Sequence, residues 1–509
     1  EVERFLQMPS DDLQRLACVV MPPTNDAAWT GIRAAFADAF RLLAARAQAE
    51  GLSEKLRSRS RPGPVSASPF FRLARFSDEF LDAWTGGKDR AAAAHDWRTA
   101  CAACRNEMAE IHRRLETEGI STGIVYGLEV LERCLRRMEQ MVDVLDAASD
   151  TARVAAFHRL LAQVVLSSHK DRSLSHLIAW NTHLLQRKIV ERTGKTGEHY
   201  IATNRSEYRH IWLAAAGGGL VMLGTAAVKV QLAGVSLAAF PEGFLAGLNY
   251  AVGFLLLQAF GLMLATKQPA MTGAKLAEIV RELRGVERRD EITAYAARIS
   301  HSQLAAALGN ILMVTTGAAV FTLVWQAAVG QPYLDAARVE YVIGSLHPLR
   351  SGTLFYAALT GVILWLAAQA GGWFENWSVY HRVPQAIAEH PLGEYIGRER
   401  LRRWAGTFVR QAAGWGTNIS LGFLLGFTHS AGRFIGIPLD VRHVVLSTGS
   451  LALALASLDG RPLVSSELLW ALVGVVVMFT MNLAVSFLLA LYTALRAYSV
   501  SGREMAALL

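Results

Sequence analysis

The chain has 509 residues, enough for two to four ordinary soluble domains, and 52% of them are apolar. Its four cysteines are few and unevenly spaced, which excludes a disulfide scaffold and points to a reducing compartment. The net charge of +8 suits nucleic acid or anionic lipid, and its placement along the chain has to decide between them.

The chain opens at Glu1 with neither a methionine nor a secretory n-region and h-region, so no cleavable signal is visible and an upstream piece is left open. Up to about residue 200 charged residues recur every few positions. RAAFADAFRLLAARAQAEGL and TGIVYGLEVLERCLRRMEQMVDVL carry apolar residues at spacings of three and four, the period of amphipathic helices. Between them RSRSRPGPVSASP, Arg57 to Pro69, reads as a mobile break. Period-two strand patterns are missing, so residues 1–200 are expected to form a cytoplasmic all-helical domain and residues 201–509 a helical transmembrane domain.

Two side-chain constellations invite a metal reading. His95, Cys101, Cys104 and His112, with Cys134 further on, lack the second close ligand pair of a zinc site. His169, His176 and His183 share a helical face, but heptad spacing sets successive imidazoles about 10 Å apart, too far for one ion. Neither a metal nor a cofactor is expected.

From about His210 the character changes. Six nearly uncharged runs are long enough to cross a hydrocarbon core of about 30 Å as helix: Ile211 to Val230, Gly243 to Thr266, Leu304 to Gly330, Thr353 to Phe374, Ala412 to His429 and Leu468 to Leu495. A seventh, His443 to Ser457, is half that length and suits a re-entrant helix. Basic residues cluster after the second span (Lys267, Lys275, Arg281, Arg284) and after the fourth (Arg382, Arg398, Arg400, Arg402), whereas QLAGVSLAAFPE between the first two has none. The positive-inside bias then places both termini in the cytoplasm of a multi-pass inner-membrane protein, with six crossings and the seventh run returning to its own side. Small residues open the odd spans, LAAAGGG, LAAALGN and QAAGWGTN, and suggest three hairpins.

Polar residues inside the spans are few. Asn249, Gln258, Asn310, Asn418 and Asn482 either line a solute path or bond helix to helix. No Asp or Glu lies within the runs, which disfavours proton-coupled pumping. Glu242, Glu375, Asp440 and Glu467 fall near span ends, within reach of headgroups and water. No phosphate loop, nucleophile elbow or HExxH pattern occurs.

Six motifs in order, SSHKDRSLSHLIAWNTHLLQRKIVERTGKTGEHY, NYAVGFLLLQAFGLMLATKQPAMT, GNILMV, GWFENWSVYHR, TNISLGFLLG and GIPLDVRHVVLSTGSLALA, resemble the gonococcal-type "site-specific recombinase" family of bacterial integral membrane proteins. The resemblance is dense from Ser167 to Ser499 and looser before it. Its name implies tyrosine-recombinase chemistry, for which His169, Arg172 and Tyr200 supply H-x-x-R and a downstream nucleophile. A second match, His347 and Arg350 with Tyr356, falls on the side expected to face outward. No upstream arginine and lysine complete either set, and Tyr200 lies close to the first span, so nucleic acid is not the expected partner. His169, Asp171, Arg172, His176, Glu198, His199 and Lys267 read instead as a cytoplasmic collar at the mouth of the membrane domain. The leading expectation is a non-enzymatic conduit or transporter for a small polar, ionic or lipid solute. The alternatives are a membrane scaffold for a cytoplasmic partner and the recombinase of the family's name. Anionic headgroups are the expected surroundings, and a homo-oligomer is compatible with all three.

Overall fold

In a computed structural model of the chain, the residues described are 26–147 apart from 87–88 and 119–121, 201–458 apart from 203 and 283–284, 466–498, and isolated positions elsewhere. Among them there is no strand, and the fold is all-helical. The chain divides into two compact units, Glu1–Leu185 and Gln186–Leu509.

The first unit is built on α1 (Asp26–Gly51), α2 (Glu54–Arg57), α3 (Pro69–Gly86), α4 (Arg90–Glu118) and α5 (Thr122–Leu145). α1 packs against α3 and α5, and α3 against α4. The core centres on Trp97, whose ring centroid lies 5.6 Å from that of Phe40 and whose indole N–H donates to Ser77 Oγ at 3.0 Å. A buried indole needs such a partner, because its N–H has no water to turn to. The expected break between the amphipathic runs is bonded to α4 at its start. Arg61 N donates to Glu107 at 3.0 Å and Arg114 donates to Ser60 O at 3.0 Å, so the residues leading into Pro62-Gly63-Pro64 are bonded to α4 in a way that composition does not reveal.

The second unit contains α6 (Arg205–Leu232), α7 (Ala239–Ala259), α8 (Gln268–Glu282), α9 (Gly285–Val329), α10 (Ala336–Ser345), α11 (Thr353–Tyr380), α12 (Val383–Ala388), α13 (Gly393–Ile396), α14 (Arg398–Ile435), α15 (Val444–Ala456) and α16 (Ser466–Ala497). Asn204 caps α6 by accepting from Glu207 N at 2.9 Å, an Asn-x-x-Glu start of the capping-box kind. Among the described residues five helices are long and apolar enough to cross a membrane: α6, α7, α9 from Asp290, α11 and α16. Ala412 to His429 is helical within α14, but hydroxyls and His429 interrupt its apolar residues and it is not among the five. The second expected run also changes shape. Its helix stops at Ala259, and Gly261 takes φ +64°, a left-handed conformation open to glycine at little cost.

Closest packing follows glycine. Gly426 on α14 packs against Gly243 and Gly247 on α7, and Gly422 against Ala251; a Cβ on Gly426 would lie 2.2 Å from Gly247 N. These are two opposed GxxxG motifs, which bring backbones together where apolar side chains gain nothing by leaving lipid. The grouping differs from three consecutive hairpins. α6 pairs with α9, α7 with α14, and α11 with both α14 and α16.

Candidate functional site

The second unit is broken in two places, and asparagines hold both breaks. Residues 260–264 leave helical geometry after α7, and residues 437–443 run irregularly between α14 and α15. Backbone groups freed at the centre of an apolar bundle have no water to satisfy them, so side chains must. Asn310 of α9 is 0% exposed; its Oδ1 accepts from Ala265 N at 3.1 Å while Nδ2 donates to Met263 O at 3.0 Å and to Ala215 O at 2.6 Å. Asn482 of α16, also 0% exposed, repeats the arrangement: Oδ1 accepts from Val444 N at 3.1 Å while Nδ2 donates to Arg442 O at 3.0 Å and to Ala357 O at 2.9 Å. In both, the amide bridges a carbonyl and the N–H two residues further on, then reaches the neighbouring helix.

The resemblance extends to whole helices. Trp212 and Leu220 of α6 lie beside Gly309 and Gly317 of α9, so these two run parallel. Ala357 and Trp365 of α11 meet Asn482 and Thr493 of α16, again parallel. α7 is antiparallel to α6, since Asn249 Nδ2 donates to Thr225 O at 2.9 Å while Met263 N donates to Ala214 O. It is also antiparallel to α14, with Gly247 at Gly426 and Gln258 at Gly414. α14 in turn is antiparallel to α11, where Gly371 meets Thr417 and Phe374 meets Phe408. The triplet α6, α7, α9 and the triplet α11, α14, α16 therefore run in opposite directions, each with one break and one clamping asparagine. Gly219 is pressed against Asn310 O and Met313, and Gly361 likewise against Met481 O and Val485.

The two breaks meet. Thr266 Oγ1 and His443 Nε2 are 2.9 Å apart, both buried, and the imidazole lies 6.1 Å from the Phe254 ring. α15, which starts at Val444, has 13 residues, a rise of about 20 Å, and is buried along nearly its whole length. One residue before His443, the Arg442 side chain is 10% exposed and pairs with Asp440 Oδ2 at 2.6 Å. Spacing did not single out Thr266, His443 or Arg442. The readable signal was a charged pair, DVRH, opening an apolar run too short to span.

The remaining expected residues fall as follows. Gln258 donates to Gln411 and accepts from Asn418 Nδ2 at 2.6 Å, joining α7 to α14. Asn249 is half-buried with its bond to Thr225. Lys267 closes the 3-10 turn Ala265–Lys267. His169, Asp171, Arg172, His176, Glu198, His199 and Tyr200 lie outside the described residues. The second H-x-x-R is a turn: His347 Nδ1 accepts from Leu349 N and Arg350 N, both at 3.2 Å, its ring stacks on Trp470, and Tyr356 donates to Pro438 O at 2.8 Å.

In the first unit Cys101, Cys104 and Cys134 are buried. Burial, and then Glu139, push the Cys101 thiol up, while burial pushes Cys104 up to about 12. These are packed thiols; no group of three or more metal-binding side chains occurs among the described residues.

Neither a curated protein nor a solved structure matches the chain. A family model described as Site-specific recombinase matches residues 1–509, so the chain belongs to the site-specific recombinase family.

Proposed function

We propose that the second unit is an inner-membrane conduit or transporter for a small polar, ionic or lipid solute, with the two clamped breaks at its working centre. The carrying observation is the meeting of two broken segments, held by equivalently placed asparagines, inside helix triplets of opposite direction. Inverted repeats with interrupted helices are the recurrent architecture of alternating access, because irregular backbone at membrane depth is tolerated where it is buried or lines a cavity. On this reading α14 is the fifth of six spans, α15 is re-entrant, and both termini are cytoplasmic. Reporter fusions at Gly285 and Glu394 should then read cytoplasm and one at Asp335 periplasm, and a periplasmic C-terminus would sink the six-span form.

The amides of Asn310 and Asn482 are spent on backbone, so the path would run past Thr266 and His443 and not along the asparagines. The same bonds favour a second reading, a scaffold whose membrane unit is rigid and closed. Cysteine labelling in native vesicles separates them. Thr266→Cys and His443→Cys should react with a small water-soluble thiol reagent from at least one side. Protection of both positions from both sides would leave the scaffold.

A further inference from the structure

We propose that Arg442 and Lys229 form a binding site for an oxyanion, the carboxylate or phosphate group of a small solute or a lipid headgroup. The site stands whether or not the unit carries that anion across.

Arg442 is held before any ligand arrives. Its backbone N–H donates to Thr360 Oγ1 at 2.9 Å and its carbonyl accepts from Asn482, so α11 and α16 fix the residue from two sides. The guanidinium carbon lies 5.9 Å from the centre of the Tyr356 ring, a cation–π distance, and Tyr356 is anchored through Pro438 O. Nη1 is used on Asp440, whose other oxygen accepts from Val441 N at 2.7 Å. Nε is buried and has no hydrogen-bond partner among the described residues. That atom belongs to the side-on edge of the guanidinium, one of the two edges that take a carboxylate or phosphate by paired N–H donors.

Among the described residues, basic groups around Asp440 outnumber carboxylates. Lys229, near the end of α6, lies within electrostatic reach of both Asp440 and Arg442 and forms no salt bridge among the described residues. Tyr250 of α7 lies within reach of the same two charges. Among the described residues two basic groups therefore lie near one carboxylate in a low-dielectric bundle, and an oxyanion arriving beside the Arg442 guanidinium gains further from Lys229 whenever that amine is protonated. A monoanionic group completes the set, and a bare cation is repelled. Of the two, Arg442 supplies the geometry and Lys229 an auxiliary positive group.

The full-length protein in phosphatidylcholine nanodiscs tests this, with phosphate and acetate as free probes and chloride at equal ionic strength as control. Ligand binding to the folded state raises the unfolding midpoint in a concentration-dependent way. The expected result is saturable stabilisation by phosphate or acetate over chloride, lost in Arg442→Gln and weakened in Lys229→Gln. Asp440→Asn removes the competing carboxylate and should tighten binding roughly fivefold, by the loss of one repulsion across a few ångströms. This gain keeps the proposal testable if Arg442→Gln does not fold. If free oxyanions give no effect but nanodiscs containing phosphatidylglycerol yield protein with a retained lipid by native mass spectrometry, dependent on Arg442, the source is the headgroup. No saturable response to either source, or a response unchanged in Asp440→Asn and Lys229→Gln, overturns the site.

Discussion

Replacing Asn482 by leucine removes three hydrogen bonds and little volume, which makes it the sharpest probe of the clamp. The lost partners are Val444 N, Arg442 O and Ala357 O, all buried. Side-chain hydrogen bonds in a bilayer average about 0.6 kcal/mol with a maximum near 1.7 kcal/mol. A buried N–H left without any acceptor adds about 1–3 kcal/mol. The sum is roughly 3–5 kcal/mol for Asn482→Leu, and Asn310→Leu, with an equivalent set of three bonds, should match it. Asn249 makes one bond, to Thr225 O at 2.9 Å, from a half-buried position, and Asn249→Leu should cost only about 0.6 kcal/mol. Reversible unfolding in mixed micelles, or steric trapping in bilayers, measures these differences directly. If Asn482→Leu and Asn249→Leu fell within about 0.5 kcal/mol of each other, the clamps would be incidental and the two breaks would be held by something else.

Three further outcomes are expected. Gly426→Val should separate α7 from α14 and lower stability by at least about 3 kcal/mol, because Gly247 N lies 2.2 Å from the new Cβ, whereas Gly224→Ala, with nothing within 4 Å, should be neutral or better in the same assay. In the first unit, an aromatic disulfide reagent at pH 8 should reach Cys101 and Cys104 only on unfolding. Because burial raises both thiols above the ordinary value of 9.0, folding holds them protonated, and the stability this contributes is full below about pH 9 and declines as pH climbs towards about 12, which urea titrations at stepped pH would register. Incubation with inversion-site DNA should give no covalent adduct at any salt concentration, and an adduct lost in Tyr200→Phe would establish the recombinase chemistry of the family's name.

Much of the second unit was legible because apolar runs of span length have few uses other than crossing a membrane. His443 to Ser457 was legible as unusual for the converse reason, being apolar yet too short, and its helix is Val444–Ala456. The break after Ala259 was not legible. Residues 260–264 are as apolar as the helix before them, and what permits them to leave it is Asn310, tens of residues away in the chain. The opposed GxxxG motifs were present as letters, but their pairing depends on α7 and α14 being neighbours in space. Asp440 was readable only as a span-end carboxylate, since nothing in the local sequence tells that the segment carrying it turns inward. The loose look of RSRSRPGPVSASP misled for a related reason. Proline and glycine report the backbone's freedom and say nothing of Glu107 and Arg114, which remove it.

The two H-x-x-R matches bear on the family's name through the one that is described. At His347 the histidine is there to close a turn: its ring accepts two successive backbone N–H groups, and Ser351 Oγ donates back to His347 O. Tyr356, which stands where a recombinase would place its nucleophile, gives its hydroxyl proton to Pro438 O and lends its ring to Arg442. A tyrosine committed to a carbonyl is not poised to attack a scissile phosphate. So this H-x-x-R arises from the need to turn the chain before α11, and four letters of that kind carry no phosphate chemistry alone. The spare donor lies one step away, on Arg442, held by Thr360 and Asn482 at the edge of a break. Whatever anion this chain recognises in its second unit, the arginine of the inward-turning segment is better placed to bind it than the arginine of the motif.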